Sequence, residues 1–196
     1  MITREAALKL LHDNMESANL RRHCYSVEAV MRALAKYFKQ DEEKWGIVGL
    51  LHDGDYEKTK STPEKHTLLM VEWLKKEGEG DPEILSAILS HNYAHLVEAD
   101  IGDSGAHEPK NNLEWSLYCC DELTGLIVAV ALVKPDKTLA AVTVDSIMKK
   151  WKERSFAAGV KREQIEKCEE MLNIPLREFV GIALEAMQTI SEELGL

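Results

Sequence analysis

Several residue classes are scarce in this chain, and each shortage removes a function class. Positive charge is one: 24 Lys and Arg stand against 34 Asp and Glu, for a formal net charge of -10. Such an acidic surface argues against a nucleic-acid polymer or an anionic membrane as partner. It leaves a small phosphorylated substrate open, because a bound cation outweighs the global field locally. Cysteine is another. The four present, Cys24, Cys119, Cys120 and Cys168, form no C-x-x-C pair, and two are adjacent. That suits neither a zinc knuckle nor a disulfide framework, and it reads as free thiols in a reducing cytoplasm. The longest candidate apolar stretch is Leu123 to Val133. It falls short of the ~18 residues a membrane span needs. No signal-peptide pattern opens the chain, so the expected location is cytoplasmic.

Linker composition, internal repeats and low-complexity tracts are also missing. A single domain over residues 1–196 is therefore expected. Strand alternation is hard to find, and Asp53-Gly54 follows a helical pattern, so it reads as a helix stop. With 45% hydrophobic and 30% charged residues, the chain has the means to build a core.

What is abundant is helical periodicity. Helices are expected over about 3–18, 21–39, 42–53, 63–77, 82–92, 112–132, 143–151, 161–172 and 175–194. Thr62-Pro63-Glu64 and Asp81-Pro82-Glu83 read as start signals, and Pro175 as the opening of the last helix. Ile101 to Asn112, rich in Gly, Asp, Asn and Pro, reads as a polar loop. The chain beyond Pro135 is richer in basic residues and is expected to pack as a helical extension of the same domain.

Several histidines and aspartates fall on apolar stripes. His23 shares a face with Val27, Val30 and Leu34, and His66 with Leu69, Met70 and Trp73. His91 shares one with Ile84 and Ile88, and Asp121 with Leu117, Gly125 and Val128. A buried carboxylate needs a partner, and a buried imidazole needs hydrogen bonds or a metal. One cation answers all of them together. His52 and Asp53 end a helix whose Gly46 and Gly49 allow close approach of a neighbour. There the macrodipole favours positive charge. A lone stripe histidine is usually a satisfied core residue, and His12 and His95 are assigned no metal. The combination, not any single member, points to a centre.

The set H…HD…D, met here by His23, His52-Asp53 and Asp121, resembles the HD superfamily of metal-dependent phosphohydrolases. The segments RRHCYSVEAV, GLLHDGDYEKT and YCCDELTGLIVAV carry the likeness. It covers roughly residues 20–135, with residues 136–196 as the extension. The resemblance implies an all-α helical bundle. It also implies a first divalent cation on His23, His52, Asp53 and Asp121. A second would sit on Asp53 as a bridge with His66 and His91. Manganese, iron, zinc, cobalt and nickel all suit such donors. The implied reaction is attack of activated water on a small phosphate ester or nucleotide, with Asp53 and Asp121 as the catalytic carboxylates. Lys65, Lys134, Lys150 and Arg154 are candidate phosphate contacts, and Tyr56 and Tyr93 candidate walls for the organic group. The text after the doublet reads Gly54-Asp55 where many members have Ile-Gly, and no GYP motif follows. Cyclic dinucleotides therefore do not follow as substrate. A di-iron oxygenase and a noncatalytic metal-binding module are the alternatives within the same likeness.

Overall fold

The computed structural model describes residues 1–99 and 107–196. Residues 101–106, the first half of the expected loop at Ile101–Asn112, therefore lie outside the described residues. Every regular element among the described residues is helical. The order is α1 (Arg4–Asn14), α2 (Ala18–Phe38), α3 (Glu42–Leu51), α4 (Tyr56–Thr59), α5 (Leu68–Lys76), α6 (Pro82–His91), α7 (Tyr93–Glu98), α8 (Asn112–Leu132), α9 (Val144–Trp151), α10 (Arg162–Met171), α11 (Leu176–Gln188) and α12 (Ser191–Leu194). Short 3-10 turns occupy Pro63–Lys65 and Leu139–Ala141.

The caps explain the boundaries. Thr3, Ser17, Asp41, Asp81, Asn111 and Thr143 each accept a backbone N–H in the first turn of the helix that follows. The first helix stops at Asn14, earlier than expected, because Met15 is extended and Ser17 caps the next helix. The expected helix over 63–77 is broken. Thr62 makes no side-chain cap, His66 is extended at φ -59° and ψ 140°, and Thr67 takes φ 72° before α5 begins. The expected last helix pauses at Thr189 and Ile190. Pro175 stands just before α11 rather than inside it.

One hydrophobic cluster runs from Ala7 in α1 to Leu194 in α12. Its centre is α2, α3 and α8, where Leu34, Leu50, Leu117 and Leu123 are wholly buried. α8 is long and apolar enough to cross a membrane by length and composition, which a search for unbroken apolar runs does not detect. Most of it is buried inside the bundle, and that accounts for its composition. α3 lies hard against α2 because Gly49 has no side chain: a Cβ there would stand 2.8 Å from the Val27 carbonyl oxygen and 2.9 Å from Glu28 Cα. This close approach brings His52, at the end of α3, against His23 in the first turns of α2. The residues after Pro135 add α9 to α12, with α10 packed on α8 and α11 on α2.

Candidate metal centre

Four imidazoles and two carboxylates meet where α2, α3, α6 and α8 converge with the turn before α5. His52, the last residue of the α3 spiral, is fully buried. Its Nδ1 lies 2.8 Å from the Gly49 carbonyl oxygen. His91, at the end of α6, repeats this device with the Ile88 carbonyl at 2.7 Å. His66 directs Nδ1 at Asp55 Oδ1, 2.7 Å away, while Asp55 Oδ2 accepts the Met70 N–H at 3.0 Å. His23 has Thr124 Oγ1 at 3.3 Å from its Nδ1, and that hydroxyl donates to the Asp121 carbonyl oxygen at 2.9 Å. Each anchor is an acceptor, so each Nδ1 is the protonated nitrogen. All four Nε2 lone pairs then face inward.

They face one another in pairs. His23 Nε2 and His52 Nε2 are 3.2 Å apart, and His66 Nε2 and His91 Nε2 are 3.1 Å apart. Opposed lone pairs at such distances repel unless something positive lies between them. The carboxylates stand beside both pairs. Asp121 Oδ1 is 2.9 Å from His23 Nε2 and 3.5 Å from His52 Nε2. Asp53 divides its oxygens: Oδ2 lies 3.6 and 3.7 Å from His23 and His52, and Oδ1 lies 3.1 and 3.3 Å from His66 and His91. Two donor groups result, His23–His52–Asp53 and Asp53–His66–His91, sharing one carboxylate. Donor type, mutual spacing and fixed tautomers all suit a pair of divalent cations.

In the metal-free chain protons take that place. Burial pushes the His23 ring toward neutrality, but its bond to Asp121 and the charges of Asp121 and Asp53 prevail and raise it to about 9. His66 follows the same logic with Asp53 and Asp55 and rises to about 10. His91 goes the other way: burial, with the nearby charge of His52 and His66, holds it below the ordinary value despite Asp53. Burial would raise the carboxyls of Asp53 and Asp121. Their imidazole neighbours reverse this and keep both well below the ordinary range. Metal binding must displace such protons.

The HD domain family matches the chain over residues 20–131, which include all six donors. The chain belongs to the HD domain family. Most of that family are metal-dependent hydrolases that hold divalent metals. No curated protein and no solved structure matches the chain. The all-α architecture is that of an HD domain, and the four α-helices beyond Pro135, α9 to α12, lie outside the matched span.

A cavity of about 510 Å³ opens on the centre of this HD domain, with Asp53, His66, His91 and Asp121 in its floor. Tyr56, Lys60, Tyr118, Glu122, Lys161 and Gln164 stand in its walls. His23 opens instead on a second cavity of about 380 Å³, shared with Arg22, Thr124 and Gly125. The expected phosphate contacts lie elsewhere. Lys65 is exposed on the Pro63–Lys65 turn, and Lys134 follows the end of α8. Lys150 is paired with Glu153 at 2.7 Å and lies over the Phe156 ring, and Arg154 is exposed on the connection after α9. None of the four lines the cavity. Of the two tyrosines, Tyr56 lines it with its ring edge-on to His66, whereas Tyr93 packs on Tyr118. Lys60, Lys161, Asp55 and Thr124 were missed. Asp55 carried a signal in the acid that follows the doublet after one glycine, and Thr124 in its place three residues past Asp121. Lys161 carried none.

Proposed function

We propose that this chain is a dinuclear metal-dependent phosphohydrolase for a small phosphate ester. The carrying observation is the two opposed Nε2 pairs with one carboxylate, Asp53, divided between them. His23, His52, Asp53 and Asp121 would hold one divalent cation, and Asp53, His66 and His91 the other. Bound there, the cations would supply Lewis acidity toward phosphoryl oxygens and would make a bound water far more acidic than bulk water.

The rest is done by the chain. Asp121 and Asp53 expose carboxylate oxygens at the cavity floor. They orient the attacking water and accept its proton as its oxygen bonds to phosphorus and the ester P–O bond breaks. Lys60 and Lys161 place positive charge at the walls, where phosphoryl oxygens need it. The volume accommodates a small ester, and the net charge of -10 disfavours a polyanionic polymer.

A di-iron oxygenase is the second reading, favoured by the same set of four imidazoles and two carboxylates, which holds iron as readily as other divalent metals. Elemental analysis of protein purified without chelator, followed by a phosphate-ester screen, separates the two. About two equivalents of manganese, zinc, cobalt or nickel with release of phosphate supports the hydrolase. Two of iron with oxygen uptake and no phosphate release supports the oxygenase. Absence of metal even after reloading refutes both.

A further inference from the structure

Residues 152–161, between α9 and α10, form no regular helix, yet one side chain ties them together. Arg162 is 2% exposed. Its guanidinium donates to four main-chain carbonyls: Trp151 at 3.1 Å, Glu153 at 3.4 Å, Phe156 at 2.7 Å and Val160 at 3.4 Å. No carboxylate pairs with it among the described residues. A buried charge without a counter-ion is costly, so these carbonyls must replace its hydration shell. Only the rigid fork of an arginine reaches so many acceptors at once. The residue is spent on the shape of this connection.

What the connection presents is a wall of the cavity over the metal centre. Lys161 precedes Arg162 and lines that cavity, with its main-chain N–H donating to Glu122 Oε2 at 3.2 Å. Its ammonium is in no ion pair among the described residues. Gln164 lines the same wall and is pinned by a 2.7 Å bond to the Tyr118 carbonyl oxygen. Glu122 directly follows Asp121 in α8, so the wall is tied to the helix that carries a metal ligand. Lys161, Arg162 and Gln164 all lie outside the span matched by the HD domain.

We infer that the connection 152–164 is the recognition element of this site: Lys161 contacts the phosphoryl group of a bound phosphomonoester, and Arg162 is the positioning residue that holds Lys161 there. This rests on the phosphohydrolase reading. A monoester presents three terminal phosphoryl oxygens and a diester two, so a lysine in the wall favours the monoester.

The test uses the full chain loaded with metal, inorganic phosphate as binding probe, and p-nitrophenyl phosphate and bis(p-nitrophenyl) phosphate as substrates. Lys161→Met keeps the aliphatic stem and removes the charge. It should raise the Kd for inorganic phosphate and the KM for the monoester by about 10- to 100-fold, the worth of one charge-assisted hydrogen bond. Metal content should stay the same, kcat/KM should fall further for the monoester than for the diester, and Lys161→Arg should restore most of the loss. Arg162→Met should reproduce the KM effect, and the double variant should be no worse than either single one. If Arg162→Met loses its helical circular dichroism, Arg162→Lys takes its place with the same expected non-additivity. An unchanged KM and Kd in Lys161→Met, with the wild type active, overturns the inference and leaves the hydrolase standing. Additive losses in the double variant overturn the role of Arg162. A wild type that neither binds phosphate nor releases it from any ester overturns the reading beneath and the inference with it.

Discussion

Asp55→Asn is the sharpest perturbation available, because it changes one atom behind one ligand. Asp55 is wholly buried and spends both oxygens as acceptors, one for the His66 Nδ1–H and one for the Met70 N–H. Asparagine has the same shape, but one end becomes a donor. In either orientation a buried N–H then faces another donor, at a cost of about 1–3 kcal/mol. Asn92 holds the main chain of the turn, its Nδ2 donating to the His66 carbonyl oxygen at 3.3 Å, but the hydrogen bond at the His66 Nδ1 is made by Asp55. His66 sits in extended backbone, and Thr67 beyond it takes φ 72° with an Oγ1 that finds no partner among the described residues. A β-branched residue there is strained by roughly 1–3 kcal/mol, so the turn relaxes when its anchor weakens. Loss of such a partner behind a ligand typically costs 10- to 100-fold in metal affinity, or about 1.4–2.8 kcal/mol. The loss should fall on one of two equivalents. His23 and His52 keep their own anchors on Thr124 and Gly49, so their cation should bind within about twofold of wild type. The assay is a titration against a competing chelator, with metal per chain measured by elemental analysis. Two equivalents bound as in wild type would refute the argument. So would equal weakening of both, which would place the effect on the shared Asp53 instead.

His66→Ala should leave one equivalent of metal per chain, while Asp53→Ala, which removes the carboxylate shared by both groups, should leave none at comparable concentration; elemental analysis after desalting decides. The chelated protein should lose stability as pH rises. His23 and His66 are raised to about 9 and about 10 in the folded chain, against ~6.5 unfolded. Their contribution is full below pH ~6.5 and is lost as pH climbs through those folded values. Asp53 and Asp121 are held low, so theirs is present above ~3.9 and fails only as pH falls further. Thermal midpoints from pH 5 to 10.5 with chelator check the sign, and a rising midpoint over that range would contradict it. Two glycine substitutions should move in opposite directions. Gly49→Ala drives a Cβ into the α2 backbone and should destabilise by about 2–3 kcal/mol. Gly125→Ala meets nothing within 4 Å on an exposed helical face and should stabilise by about 0.5–1 kcal/mol. Urea denaturation of both variants reads the difference.

Legibility in the sequence followed the locality of the cause. The bounds of α8 coincide with those expected, because Asn111 caps one end and the apolar pattern stops at Val133. Gly49 announced the approach of α3 to α2, since a glycine amid buried residues needs a neighbour. The inward-facing donors on helices could be read from their stripes. His66 was found for a reason that does not hold: it is not on a helical face with Leu69 and Trp73 but in a turn, and its direction comes from Asp55, eleven residues earlier. Lys60 and Lys161 were invisible for the opposite reason. An exposed lysine looks the same whether it lines a cavity or faces bulk water, and only tertiary packing distinguishes the two, for Lys161 the docking of α10 on α8. Lys134, just after α8, and Lys150 and Arg154, in the extension, have charge that is spent locally or lies away from the centre.

The same non-local arrangement makes the centre costly to fold without cations. Three of the four Nδ1–H groups are anchored by acceptors within 2.8 Å, and the fourth by a threonine whose own proton is committed elsewhere. None of the rings is free to turn a lone pair away. Folding alone therefore brings like dipoles to 3.1 and 3.2 Å, and protons relieve this only partly, since His91 resists charging between His52 and His66. A ligand that binds only the folded state stabilises it by RT ln(1 + [L]/Kd), about 4 kcal/mol for each site at a thousandfold excess over Kd. Two such sites would contribute an amount comparable to the whole stability of a typical domain. Cation binding at the end of α3 would thus be coupled to the packing of α2, α6 and α8 as much as to any reaction in the cavity above it.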